Sequence, residues 1–155
     1  MSEKKSVSFN LIRVTTEQFA IVGELPQNDE ALNVSTNFRF GIDPSLRKIA
    51  IFSQFTFLNS NNTPFLSVEG ACHFQISEKD WADLHDGEKS LITLPKGFAA
   101  HLLMLTVGTT RGILHSKTEN TPFNRFYLPL LNVSELIKSD VVFNLENSST
   151  ESVSI

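Results

Sequence analysis

The sequence predicts an α+β fold: an antiparallel, four-stranded, Greek-key-like sheet with a long apolar helix and a short last helix packed on one face. Three observations lead there. The first half of the chain alternates apolar and polar residues with period two. Its runs are joined by short, turn-rich stretches, which suit antiparallel neighbours, whereas parallel pairing would need crossovers of a dozen residues or more. The second half switches to helical spacing around an apolar stretch. At 155 residues the chain fits one domain, read as 1–145, followed by a flexible, Ser-rich tail over 146–155.

The elements follow in order. Val7, Phe9 and Leu11 alternate with Ser8 and Asn10 in a short first strand. The stretch from Glu17 to Glu30 is long enough to cross the sheet, as a Greek-key return requires. Leu32, Val34, Thr36, Phe38, Phe40 and Ile42 then share a face against Asn33, Ser35, Asn37, Arg39 and Gly41, the clearest strand in the chain. A turn over Gly41–Ser45 leads to a strand with Ile49, Ile51, Phe55 and Phe57 on one face. Asn59–Pro64 is a second turn. Leu66, Val68, Cys72, Phe74 and Ile76 line a further strand, in which Gly70 marks a bulge.

Helices cover the apolar face of this sheet. Ser77-Glu-Lys-Asp80 resembles a capping box and opens a short helix carrying Trp81 and Leu84. Pro95 suits the first turn of a longer helix over Phe98–Thr109 that is apolar around most of its circumference. Such a helix needs cover on two sides, so Phe98, Leu102, Leu103, Leu105 and Val107 are candidates for an oligomer interface. Gly108-Thr-Thr-Arg-Gly112 follows a helix rather than a strand and lacks Gly-Lys-Ser/Thr, so it reads as the helix end and not as a phosphate cradle. A last helix starts near Ser134, with Leu136 and Ile137 as contacts.

Composition narrows the function classes. Formal net charge is −4, so no basic field exists to attract nucleic acid or an anionic membrane surface. No segment has the length and character of a secretion signal or a membrane span, and the cytoplasm is the expected location. The lone Cys72 excludes an intrachain disulfide or a cysteine-rich zinc site. His73, His85, His101 and His115 have no ligand spacing among them, and Asp80, Asp83, Asp86 and Glu88 read as a solvated helix face. No catalytic residue, metal or cofactor is expected.

Phenylalanine is the remaining signal. Phe accounts for 13 residues beside one Trp and one Tyr, and it carries a large apolar surface with no polar handle. Phe123, Phe126 and Tyr127 lie in an extended stretch flanked by Pro122 and Pro129, away from any strand. An aromatic groove without polar anchors suits apolar chain segments, so it points to a binding module.

Thr110-Arg-Gly112 followed by Phe123-x-x-Phe126-x-Leu128-x-x-Leu131-Asn132-Val133-x-x-Leu136 resembles the end of the SecB export-chaperone family. The element order is also similar, and the motif-level likeness covers Phe98 to Leu136. Ten residues, Ile113 to Pro122, separate Gly112 from Phe123 where the family has one or two, so the chain looks like a divergent relative. The resemblance implies a cytosolic holdase for unfolded clients, assembled as a dimer of dimers. It implies a client groove at Phe123, Phe126, Tyr127, Leu128 and Leu131. The family docks its export motor on an acidic sheet face. Here that face reads Asn33, Ser35, Asn37 and Arg39, which leaves motor contact without its usual basis. Relatives of the fold also serve as dedicated chaperones for unstable antitoxins, and that role stays open.

Overall fold

Alternation drives the first half of the chain into the main sheet. The computed structural model describes residues 6–28, 30–146 and 151–154. Strands β1 (Phe9–Ile21), β2 (Asn33–Asp43), β3 (Lys48–Leu58) and β4 (Pro64–Ile76) lie in the order β1-β4-β3-β2, each antiparallel to its neighbours. β2, β3 and β4 form a meander and β1 lies beside β4, the Greek-key arrangement read from the sequence.

β1 is longer than the alternation shows. Its pairing with β4 slips between Leu11 and Arg13 and again between Thr16 and Gln18. Each extra residue reverses the parity of everything after it, so a 13-residue strand looks like a short one. The crossing connection is accordingly 22–32. It is held by Val22 N–H on the Phe65 carbonyl and by Glu30, whose carboxylate accepts from the Ser60 amide (2.9 Å) and hydroxyl (2.6 Å).

One side of the sheet forms the core. Phe38, Phe40, Ile42, Ile49, Ile51, Phe55, Phe57, Val68, Cys72, Phe74 and Ile76 are buried there. The other side is half-covered by its own side chains. Arg39 lies over the Phe52 ring at 3.7 Å and reaches Glu69 at 3.8 Å, while Phe52 meets His73 edge-on.

Helix α1 (Glu78–Leu84) begins at Ser77, whose Oγ accepts from the Asp80 amide at 3.3 Å. The carboxylate does not return to the Ser77 amide as in a full capping box. It accepts instead from the Ser77 hydroxyl (2.9 Å) and the Ser8 amide (2.7 Å), tying the helix start to the entrance of β1.

A second, small sheet was absent from the sequence reading. β5 (His85–Asp86), β6 (Leu91–Leu94) and β7 (Val141–Asn144) pair antiparallel in the order β5-β6-β7. Ile92 and Leu94 from β6 meet Val141 and Phe143 from β7 in the core. Two inward residues per strand are too few to establish a period.

The long helix extends well beyond Thr109, where the sequence pattern ends it. α2 runs from Lys96 to Thr118, 23 residues, straight through Gly108 and Gly112. Neither glycine is a left-handed cap; no glycine among the described residues has positive φ, and the turn falls at Asn120, φ 62°. Glycine in a helix costs about 1 kcal/mol relative to alanine. Burial of Thr110, Leu114 and Thr118 against the sheet and the following turn outweighs that cost. The ten residues 113–122 that interrupt the family-like motif are thus mostly additional helix.

α2 crosses the sheet where the side chains are smallest. Ser53 and Gly70 are paired on β3 and β4, and Thr110 sits on them, its Oγ1 2.5 Å from Ser53 Oγ. A Cβ on Gly70 would come within 2.6 Å of that same Oγ1. Gly70 therefore serves close helix approach, and the irregularity beside it is on its partner strand, where pairing slips between Thr16, opposite Gly70, and Gln18, opposite Glu69.

The last helix, α3 (Val133–Leu136), is a single turn. Ile137 just beyond it is buried, whereas Leu136 stays exposed. Of the segment read as a flexible tail, 147–150 and 155 lie outside the described residues. Glu151–Ser154 forms β8, antiparallel to β2 with Val153 opposite Phe40, a fifth strand on the main sheet.

Candidate functional site

α2 presents one stripe away from the sheet. Gly97, His101, Met104, Gly108, Arg111 and His115 recur at alternating steps of four and three, which places them on one face. Facing this stripe is the chain that leaves α2, first a short 3-10 turn, Pro122–Arg125, and then an extended segment up to α3.

Three anchors hold that segment off the helix. Phe126 is wedged into the core, its ring 5.1 Å from Phe65 and 6.0 Å from Phe57, with Leu128 buried two residues on. Asn124 donates to the His115 carbonyl and to Thr118 Oγ1, fixing the turn to the helix end. Arg125 stacks over the Phe126 ring and donates to the Pro26 carbonyl (2.6 Å) and to Asn28. With Phe126 and Leu128 turned inward, strand-like alternation turns Tyr127 outward, 68% exposed. The alternation ends there, since Leu130 has the parity of the inward pair and is 93% exposed.

Between helix and segment lie two concavities, end to end. One, about 390 Å³, is bounded by Gly108, Arg111, Gly112, Leu114, Phe126 and Tyr127. The other, about 400 Å³, is bounded by Gly97, Ala100, His101, Met104, Leu131 and Val133. A Cβ added at Gly97, Gly108 or Gly112 would meet nothing within 4 Å, so these glycines keep the floor low.

Of the candidate groove residues, Phe126 and Tyr127 line the first concavity and Leu131 the second. Leu128 is buried behind the wall, and half-buried Phe123 packs against Phe65 and Phe126. Among the candidate interface residues, Leu102, Leu103 and Val107 are buried within this chain's own core. Phe98 is half-buried against Phe9, with 5.5 Å between ring centroids, and Leu105 is exposed. The residues that sequence reasoning missed are Gly97, Met104, Gly108, Arg111 and His115. Their three–four spacing was present, but ending the helix at Gly108 concealed it.

Arg111 is the groove's principal polar group. Its Nη2 donates to the Pro129 carbonyl at a long 3.4 Å, and its Nε is buried without a partner. A buried donor left unpaired costs about 1–3 kcal/mol, more when charged. No carboxylate among the described residues lies within ion-pair reach of it, and His115 meets Glu119 at 3.8 Å.

A second apolar surface lies on the edge of the main sheet. β1 is its terminal strand and exposes Leu11, Ile12 and Val14, with Leu105 of α2 also exposed. Elsewhere, Cys72 is buried on the core face and His73 lies opposite, its pKa lowered by burial and then by Arg13. Among the described residues no three His, Cys, Asp or Glu side chains gather as a metal site, and no helix is long and apolar enough to cross a membrane.

No protein-family model and no curated protein matches the chain. One solved structure that it resembles is a SecB-like chaperone from Mycobacterium tuberculosis, in complex with a peptide from an antitoxin. The two are 12% identical, with a TM-score of 0.46, over 79% of this chain and 90% of that one.

Proposed function

We propose that this chain is a SecB-like holdase, a homo-oligomer of the cytoplasm that binds unfolded or partly folded polypeptides in the groove beside α2 without catalysis. The observation that carries the reading is the groove itself: two apolar concavities in line, floored by glycine and walled by Met104, Phe126, Tyr127 and Leu131. A folded protein has no extended segment free to lie there, whereas an unfolded chain does.

The chemistry needs no reactive group. Burying a Leu or Phe side chain is worth about 1.5–3 kcal/mol, so one groove grips weakly and several grooves on one client grip by avidity. Binding the unfolded chain and not the folded one holds back aggregation and folding by mass action. Export-motor docking is not part of the proposal, since Arg39, stacked on Phe52, sits where an acidic face would be needed.

The test is peptide titration together with suppression of light scattering by an unfolding client. Extended apolar peptides are expected to bind, and Gly108→Leu, which fills the floor, is expected to weaken binding about tenfold while circular dichroism stays unchanged. Absence of peptide binding, or of any effect of Gly108→Leu in a folded variant, would overturn the proposal. One polypeptide bound far more tightly than generic clients would mark a dedicated adaptor.

A further inference from the structure

The groove is not purely apolar, and its one strong charge is not matched. Arg111 lies on the stripe between Gly108 and His115, bordered by Leu114 and Phe126. Its contacts are a long bond to the Pro129 carbonyl and nothing at Nε. No Asp or Glu lines either concavity. The chain as a whole carries a net charge of −4, so a cation without an anionic partner at this place runs against the general balance.

A guanidinium that braces a loop donates at about 2.7–3.2 Å, so a backbone carbonyl at 3.4 Å is a poor brace. Partial burial among apolar groups strengthens its attraction for a carboxylate, because the surrounding dielectric is lower than water. We propose that Arg111 is the polar anchor of the groove and makes it select apolar extended segments that carry an Asp or Glu. The inference rests on the groove reading above.

Geometry gives the spacing. Met104, at the wall of the second concavity, precedes Arg111 by seven residues, roughly 10 Å along a helix. An extended peptide covers that distance in about three residues. The favoured segment therefore places a carboxylate about three positions from a large aliphatic or aromatic side chain, with the acid beside Arg111 and the apolar group beside Met104.

The experiment compares three fluorescent peptides, identical except for Glu, Gln or Lys at the position three residues from a Leu. The full-length protein is expected to bind Glu over Gln by about fivefold, as for a partly exposed ion pair. Lys should bind more weakly still, and the preference should fade as salt rises. Arg111→Gln is expected to erase the preference, so that the Glu and Gln peptides bind alike; Arg111→Lys should restore part of it. Should Arg111→Gln fail to fold, the salt dependence of the Glu-to-Gln ratio in the unaltered protein still decides. Equal binding of all three peptides, or a preference that survives in folded Arg111→Gln, overturns the selection and leaves the groove reading standing. Failure of every peptide to bind overturns both.

Discussion

Single residues set the tolerances here. Gly70 and Ser53 together make the notch on which Thr110 rests, and a methyl at Gly70 has no room beside Thr110 Oγ1. Gly70→Ala is therefore expected to lower stability by about 1–3 kcal/mol in a denaturant titration, as overpacking does. Gly70→Ala combined with Thr110→Ala should lose less than the sum of the two, because the second change removes the clashing atom. The sequence showed that Gly70 interrupts an apolar face, but a helix pressing on it from 40 residues away leaves no local trace. Asp80 is a second such point. The Ser8 amide, then the Ser77 hydroxyl, hold its carboxyl below the usual range. A carboxylate with a lowered folded pKa contributes stability that is complete above the unfolded value, near 4, and is lost as pH falls through the folded one. Asp80→Ala should lower the melting temperature at pH 7, and its gap from the unaltered protein should narrow as the pH falls below about 4.

At the scale of elements, α2 carries both the fold and the groove, and it asks different things of its two sides. Its buried side follows ordinary packing, with Leu102, Leu103, Thr106, Val107, Thr110 and Leu114 against the sheet. Its open side accepts glycine at three positions, although nothing crowds them. Replacing Gly108 and Gly112 by alanine should raise stability by about 0.5–1 kcal/mol each, read as a higher melting temperature. The same changes should weaken apolar peptides, since both glycines border the concavity beside Phe126. A gain in stability without a loss in peptide affinity would mean that the glycines do not serve the groove. The strands β2, β3 and β4 were legible because each repeats its period over at least 11 residues. The end of α2 was not, since two glycines outweighed in the local pattern the tertiary burial that continues the helix. For the same reason the wall was legible at Phe126, Tyr127 and Leu131, and the floor was not.

For the molecule as a whole, the unresolved demand is the free edge of the main sheet. Among the described residues β1 pairs on one side only, and its Leu11, Ile12 and Val14 stay in water, a combination that isolated monomers avoid. The sequence places the interface on α2, because a helix apolar all round needs cover on two sides. The main sheet, the 3-10 turn and α3 cover most of that helix, and outside the groove the exposed apolar surface includes the β1 edge and Leu105. If the proposed oligomer forms, this is the surface that has most to gain from it. Leu11→Lys, Ile12→Lys and Val14→Lys together should then reduce the mass measured by sedimentation, as lysine on an edge strand blocks pairing. The groove lies across α2 and is built from other residues, so a single short peptide should bind each subunit as before. Suppression of client aggregation should fall, because a long client no longer meets several grooves on one particle. A chain that sediments as a monomer before any substitution would remove the avidity on which the holdase depends and leave a groove that grips one segment at a time.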